Sequence, residues 1–209
     1  MRPEIELLLG ILEKGGREAV VGASGSGKTS VMRELLYHHR KLGRRVIGFD
    51  PHGELGLPMC RTFGEIRAEL MGPYGRAGIM DADLWAQAAE LGLRAGWCTL
   101  VADEVQRLAP STGRQTSALE VVLSITTEGR HSAVSWLWAT QSPGRCHYAL
   151  TDNTDAQVVG RLSSPSSVSR VADWGVSRED LRGLPNHHLL LCFPGRETVR
   201  FESRPFPKP

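Results

Sequence analysis

The stretch GASGSGKT, Gly22 to Thr29, decides how the chain is read. It fits the spacing G-x-x-x-x-G-K-[ST] and stands in the context that spacing demands, a short apolar strand before it (Glu18 to Val21) and a helical pattern after it (Lys28 to about Leu42). Glycines let the backbone fold closely round a phosphate, and successive N–H groups point inward at the start of the following helix. Gly22, Ala23, Ser24, Gly25, Ser26, Gly27, Lys28, Thr29 and Ser30 are therefore the expected nucleotide-binding residues. Lys28 would reach the β- and γ-phosphates, and the Thr29 hydroxyl would coordinate Mg²⁺. A chance match in a glycine-rich chain is the bland alternative, and the strand–turn–helix context argues against it.

Outward from that loop, strand and helix signals alternate. Strands are expected at Arg45 to Asp50, Trp97 to Ala102, Val134 to Trp138, Gln157 to Arg161, Leu189 to Phe193 and Thr198 to Phe201. Helices are expected near residues 1–16, Phe63 to Leu70, Asp81 to Leu91 and Ser117 to Glu128. The alternation predicts an α/β fold, a P-loop NTPase with a mainly parallel central sheet flanked by helices. One domain is expected over 1–209, with a proline-rich tail, 202–209, extended and leaving the body.

Composition sets limits without naming a task. The 209 residues suffice for one sizeable core, and 41% hydrophobic with 23% charged residues is ordinary for a globular chain. No apolar run approaches a membrane span, and acids inside the N-terminal apolar stretch argue against a signal peptide. Four scattered cysteines without a CxxC pair suggest neither disulfides nor zinc, hence a reducing, cytoplasmic setting. Net charge is only +2, which neither advertises nor excludes nucleic acid, because a protein encircling DNA needs basicity on its inner surface alone.

TLVADEVQ, Thr99 to Gln106, supplies the acidic partner of a P-loop. Asp103, at a strand's C-terminal end, is expected in the Mg²⁺ shell, and Glu104 is expected to polarise the attacking water. An adjacent acidic pair favours hydrolysis with a dedicated base. The bland reading is a solvated helix start, where acids are favoured anyway. In EGRHSAVSWLWATQSP, residues 128–143, Gln141 resembles the polar residue that, in P-loop ATPases with an extra strand between the two Walker motifs, ends that strand beside the γ-phosphate. The resemblance implies that its amide contacts the γ-phosphate or the water, and a polar residue starting a turn before Pro143 is the bland alternative. Arg130 precedes the same strand and should lie toward the opposite end of the sheet, out of reach of its own nucleotide. It is the candidate arginine finger supplied in trans, which requires a ring. A surface arginine near a helix C-terminus is its bland alternative.

Four stretches, GASGSGKT, VIGFDPHGE, LVADE and EGRHSAVSWLWATQSP, resemble the HerA–FtsK superfamily of ring-forming, DNA-pumping ATPases. QVVGRLSSPSSVSRVADWG resembles the segment after the sensor strand in FtsK-like motors, and residues 55–96 carry no family signature. In size and motif order the chain is most like the genome-packaging ATPases of tailless, often membrane-containing icosahedral viruses. The resemblance implies ATP and Mg²⁺ as cofactors, double-stranded DNA as partner, and a hexameric (or pentameric) ring. It also implies capsid or portal-vertex proteins as further partners, in host cytoplasm or at a virion vertex. A motor of a mobile element, a conjugation system or filamentous-phage assembly is the alternative. His52 and Glu54 are secondary candidates beside the nucleotide, and Arg161 and Arg170 are substitutes for Arg130. Arg107 and Arg114, in the loop after the acidic strand, are the candidates for DNA phosphate contacts. A small-molecule kinase and a non-hydrolysing assembly factor are the competing classes; the DPHGE and ATQ stretches speak against the first, and the full set Lys28, Thr29, Asp103, Glu104 and Gln141 against the second.

Overall fold

The computed structural model describes residues 1–40, 42–72, 74–129, 133–193 and 198–207. The strands are β1 (Arg17–Val21), β2 (Arg45–Phe49), β3 (Met59–Cys60), β4 (Arg76–Ile79), β5 (Cys98–Ala102), β6 (Ser135–Thr140), β7 (Ala156–Val159), β8 (His188–Cys192) and β9 (Val199–Glu202). The helices are α1 (Pro3–Glu13), α2 (Lys28–Arg40), α3 (Phe63–Met71), α4 (Ala82–Ala95), α5 (Ser117–Glu128), α6 (Tyr148–Asp152), α7 (Pro165–Ala172) and α8 (Arg178–Arg182). Among the described residues all nine strands join one sheet in the order β3-β4-β2-β5-β6-β1-β7-β8-β9. It is parallel from β3 to β7, and β8 and β9 close it as antiparallel strands.

The central strands are buried on both faces, which is why they read as continuous apolar runs. On one face Ile5, Leu8 and Leu12 of α1 pack with Val31, Leu35 and Leu36 of α2 over Val20, Leu137 and Val158. On the other, Trp85 of α4, Val122 and Ile125 of α5 and Leu181 of α8 cover Ala19, Leu100, Trp136 and Trp138. Trp136 and Trp138 point to that one face and are fully buried, as their spacing predicts. The four cysteines are buried and free.

Arg44, just before β2, has a structural task. The Arg44 guanidinium is buried, donates to the carbonyls of Leu12 and Glu13 and to Ser135 Oγ, and so closes the C-terminal end of α1. The tail departs from expectation. Ser203 is buried, Phe206 packs its ring on Tyr37, and the Phe206 carbonyl accepts from Arg33. Residues 203–207 therefore lie along α2 rather than leaving the body, because an aromatic ring between two prolines gains more by packing than by solvation. The stretch 55–96 that carried no signature forms α3 and α4, as expected, and adds strands β3 and β4.

Candidate nucleotide site

Every parallel strand delivers its C-terminal end to one edge of the sheet, where ligands of open α/β sheets bind. The loop after β1 turns there into α2. Gly25 and Gly27 take left-handed φ values of +74° and +97°, which a side chain would strain. A Cβ at Gly25 would meet nothing within 4 Å, so this part of the loop opens to solvent. Lys28 folds back and donates to the Ala23 carbonyl at 3.2 Å. Burial lowers its pKa, while Glu104, Asp103 and Glu54 work in the opposite direction.

β5 ends against this loop. Asp103 is 6% exposed, and its N–H donates to the Phe49 carbonyl at 2.9 Å, which ties it to β2. Its Oδ1 accepts from the Glu104 N–H at 3.0 Å. Burial, and then the neighbouring Glu104 carboxylate, push the Asp103 pKa up to about 6. Glu104 adopts left-handed backbone angles (φ 52°, ψ 49°), a conformation that costs a non-glycine residue about 1–3 kcal/mol and is concentrated at functional sites.

Both Glu104 carboxylate oxygens are held. Oε1 accepts from Gln141 Nε2 at 2.7 Å, and Oε2 accepts from Gln106 Nε2. Gln106 in turn accepts the Thr140 hydroxyl proton at 2.6 Å, and Thr140 Oγ1 accepts from the Ser142 N–H. β6 lies between β5 and β1, so its exit carries Gln141 to a place beside Glu104. Gln106 was not singled out from sequence; its position three residues after Asp103 is the only signal that could have drawn attention to it.

The loop after β2 forms the third wall. Asp50 is fully buried and its two oxygens accept the N–H groups of Glu54 (2.9 Å) and Leu55 (2.8 Å). The DPHGE turn is thus folded by Asp50, which sets His52 and Glu54 on the rim. The cavity enclosed here, about 320 Å³, is lined by Ser24, Gly25, Gly27, Lys28, Thr29, Ser30, His52, Glu54, Asp103, Glu104, Gln141 and His187. Lys28, Asp103, Glu104 and Gln141 thus all line one cavity.

Other candidates are placed elsewhere. Arg130 lies outside the described residues. Arg161 borders its own phosphate-binding loop: its carbonyl accepts from the Ala23 N–H at 2.8 Å, and it shares a separate cavity of about 490 Å³ with Arg178 and Arg182. Arg170 is engaged within the chain, donating to Thr151 Oγ1 at 3.5 Å. Arg107 and Arg114 are exposed on the loop after β5, at the same edge as the site.

The residues suit a magnesium ion. Among the described residues no cluster of three or more His, Cys, Asp or Glu could hold a metal by itself. Mg²⁺ does not need one, because it keeps waters and binds through one or two protein ligands and the substrate phosphates. Asp103 is an acid disfavoured by burial, whose ionised form a cation would restore, and Thr29 stands at the same cavity.

Fold and site together define a P-loop NTPase with an added strand between the β1 loop and the β5 acids. Residues 13–107 match the family described as the type IV secretion-system coupling protein DNA-binding domain. The genome packaging NTPase B204 of Sulfolobus turreted icosahedral virus 2, in complex with AMPPCP, superposes with TM-score 0.74 at 15% identity, over 93% of this chain and 100% of that one. The conjugation coupling protein TcpA of pCW3 gives TM-score 0.69 at 17% identity, over 94% of this chain and 62% of that one. The type VII secretion ATPase EccC of Thermomonospora curvata gives 0.60 at 17% identity, over 91% and 25%. No curated protein matches in sequence. The coupling-protein match falls in the FtsK/HerA-like group to which the four sequence stretches point.

Proposed function

We infer that the chain hydrolyses ATP with Mg²⁺ and uses the energy to move double-stranded DNA, as part of a ring. The observation that carries this reading is the Glu104 carboxylate, fixed at both oxygens by the Gln141 and Gln106 amides in the cavity that Lys28 lines. An acid held at one cavity wall by two neutral amides is suited to accept a proton from water. Mg²⁺, when bound, supplies charge neutralisation at the β- and γ-phosphates. Lys28 and the loop N–H groups bind those phosphates, Thr29 and Asp103 hold the cation, and Glu104 orients the water and takes its proton. Gln141 touches Glu104 directly, so its amide is placed to exchange that contact for the γ-phosphate and report hydrolysis to β6. Arg130 is proposed to reach a neighbour's nucleotide in trans, and Arg107 and Arg114 to meet DNA phosphate.

Of the motors with this fold, genome packaging is favoured because B204 superposes with the higher TM-score, 0.74 against 0.69 for TcpA. The coupling-protein family match over residues 13–107 supports a conjugative motor as the second reading. A cytoplasmic setting accords with the free cysteines, and among the described residues no helix is long and apolar enough to cross a membrane. Glu104→Gln tests the assignment. It should retain ATP binding and lose turnover; hydrolysis near the wild-type rate would remove Glu104 from the role of base.

A further inference from the structure

The strand order gives the nucleotide a direction across the site. Glu104 and Gln141 leave β5 and β6, on one side of the phosphate-binding loop after β1. β7, β8 and β9 lie on the other side. Because β8 runs antiparallel, its entrance rather than its exit reaches the ligand edge, and it brings His187 there. β9 is antiparallel to β8, so its exit returns to the same edge and brings Ser203. The γ-phosphate belongs at Glu104, so the nucleoside must leave toward His187.

Three observations show this corner to be built. His187 takes a left-handed φ of 63°, which a non-glycine residue adopts rarely and at a cost. The Ser203 N–H donates to the His187 carbonyl at 2.6 Å, which pins that conformation. The Ser203 hydroxyl is wedged against Gly27, where any side chain would collide with it, and His187 Nδ1 lies 3.6 Å from the position such a Cβ would take. Ser203 is 3% exposed and does not line the cavity, so its side chain, held behind Gly27, supports His187 and does not touch the ligand. The His187 ring itself is exposed and lines the cavity. At about 320 Å³ that cavity is at the small end of ligand sites, so the nucleoside must rest on its rim.

The geometry points to His187 as a nucleoside-binding residue, its imidazole face and N–H contacting the base and ribose of the nucleotide, with Ser203 as the residue that positions it. This rests on the reading of the site as an ATP site, and deepens it by separating nucleoside recognition from phosphate recognition.

Calorimetric titration of the full chain in Mg²⁺ with two ligands, ATP and inorganic tripolyphosphate, tests the assignment. His187→Ala should weaken ATP about ten-fold, a loss of about 1.4 kcal/mol and in the range of a stacking contact, and leave tripolyphosphate unchanged. His187→Phe should recover most of the ATP affinity. Should the alanine variant fold poorly, His187→Gly, which suits the left-handed backbone, should show the same split. Equal loss on both ligands would make His187 a phosphate contact and overturn the proposal, as would no loss on either. Failure of the underlying site is read separately: wild-type protein would bind neither ligand, or Lys28→Ala would bind both as tightly as wild type.

Discussion

Gln106→Ala isolates the support behind the proposed base. Gln106 does not line the cavity, so its removal leaves the phosphate contacts in place. It does remove one of the two amides that hold Glu104, and it leaves the fully buried Thr140 hydroxyl without its acceptor. A hydrogen bond to a charged group contributes about 1.5–3 kcal/mol. If that contribution serves to hold Glu104 in its productive position, its loss lowers kcat by about ten- to one-hundred-fold. KM for ATP should change by less than about three-fold, since binding and positioning separate in this way when only the transition state uses the contact. Gln106→Glu should be worse than alanine, because a second carboxylate would face Glu104 where an amide now donates. Steady-state phosphate release across ATP concentrations measures both constants. Wild-type kcat in Gln106→Ala, or a loss confined to KM, would refute the view that this amide positions the base.

Two further outcomes follow from burial and from the ring. Glu18 is fully buried on β1 with no hydrogen-bond partner among the described residues, and burial first, then Asp155, raises its pKa well above 4.5. The folded state therefore keeps a proton that the unfolded chain releases above about 4.5, so stability should fall as pH rises through the interval between the two values, by up to about 1.4 kcal/mol per pH unit. Glu18→Gln should flatten that decline between pH 5 and 7 in urea titrations; an unchanged slope would show that Glu18 does not cause it. For the ring, Arg130→Ala and Lys28→Ala should each be inactive alone, yet mixed rings should regain hydrolysis at interfaces with one intact loop and one intact finger. No recovery in rings shown by mass to hold both subunits would remove Arg130 from the trans role.

The parts of this molecule that were legible in sequence are those where chemistry and local structure coincide. GASGSGKT demands a strand before it and a helix after it, and Asp103-Glu104 ends an apolar run, so both were placed with their elements. Trp136 and Trp138 revealed the buried face of β6 by their spacing. What sequence hid depends on contacts between distant segments. β4, with only Arg-Ala-Gly-Ile, is too short and too small for a periodic signal, and is a strand because β2 pairs with it. Gln106 holds Glu104 two residues away, but its amide is oriented by Thr140, 34 residues away. The prolines around Ser203 and Phe206 suggest an extended tail; it is Tyr37 and Arg33 of α2 that give Phe206 a surface, and Gly27 and His187 that enclose Ser203. His187 lies in a polar run, NHH, whose pattern resembles any loop; the antiparallel turn of β8 is what brings it to the site.

Movement along duplex DNA is the central claim, and displacement of a labelled third strand from a triplex measures it most directly, because a motor tracking the duplex strips the third strand without separating the other two. The wild-type chain should release the third strand in the presence of ATP and Mg²⁺, at a rate that rises with protein assembly, and Glu104→Gln should bind ATP and release none. ATP hydrolysis without third-strand release, at protein concentrations where rings form on the DNA, would contradict the account and leave an ATPase whose work is done on something else.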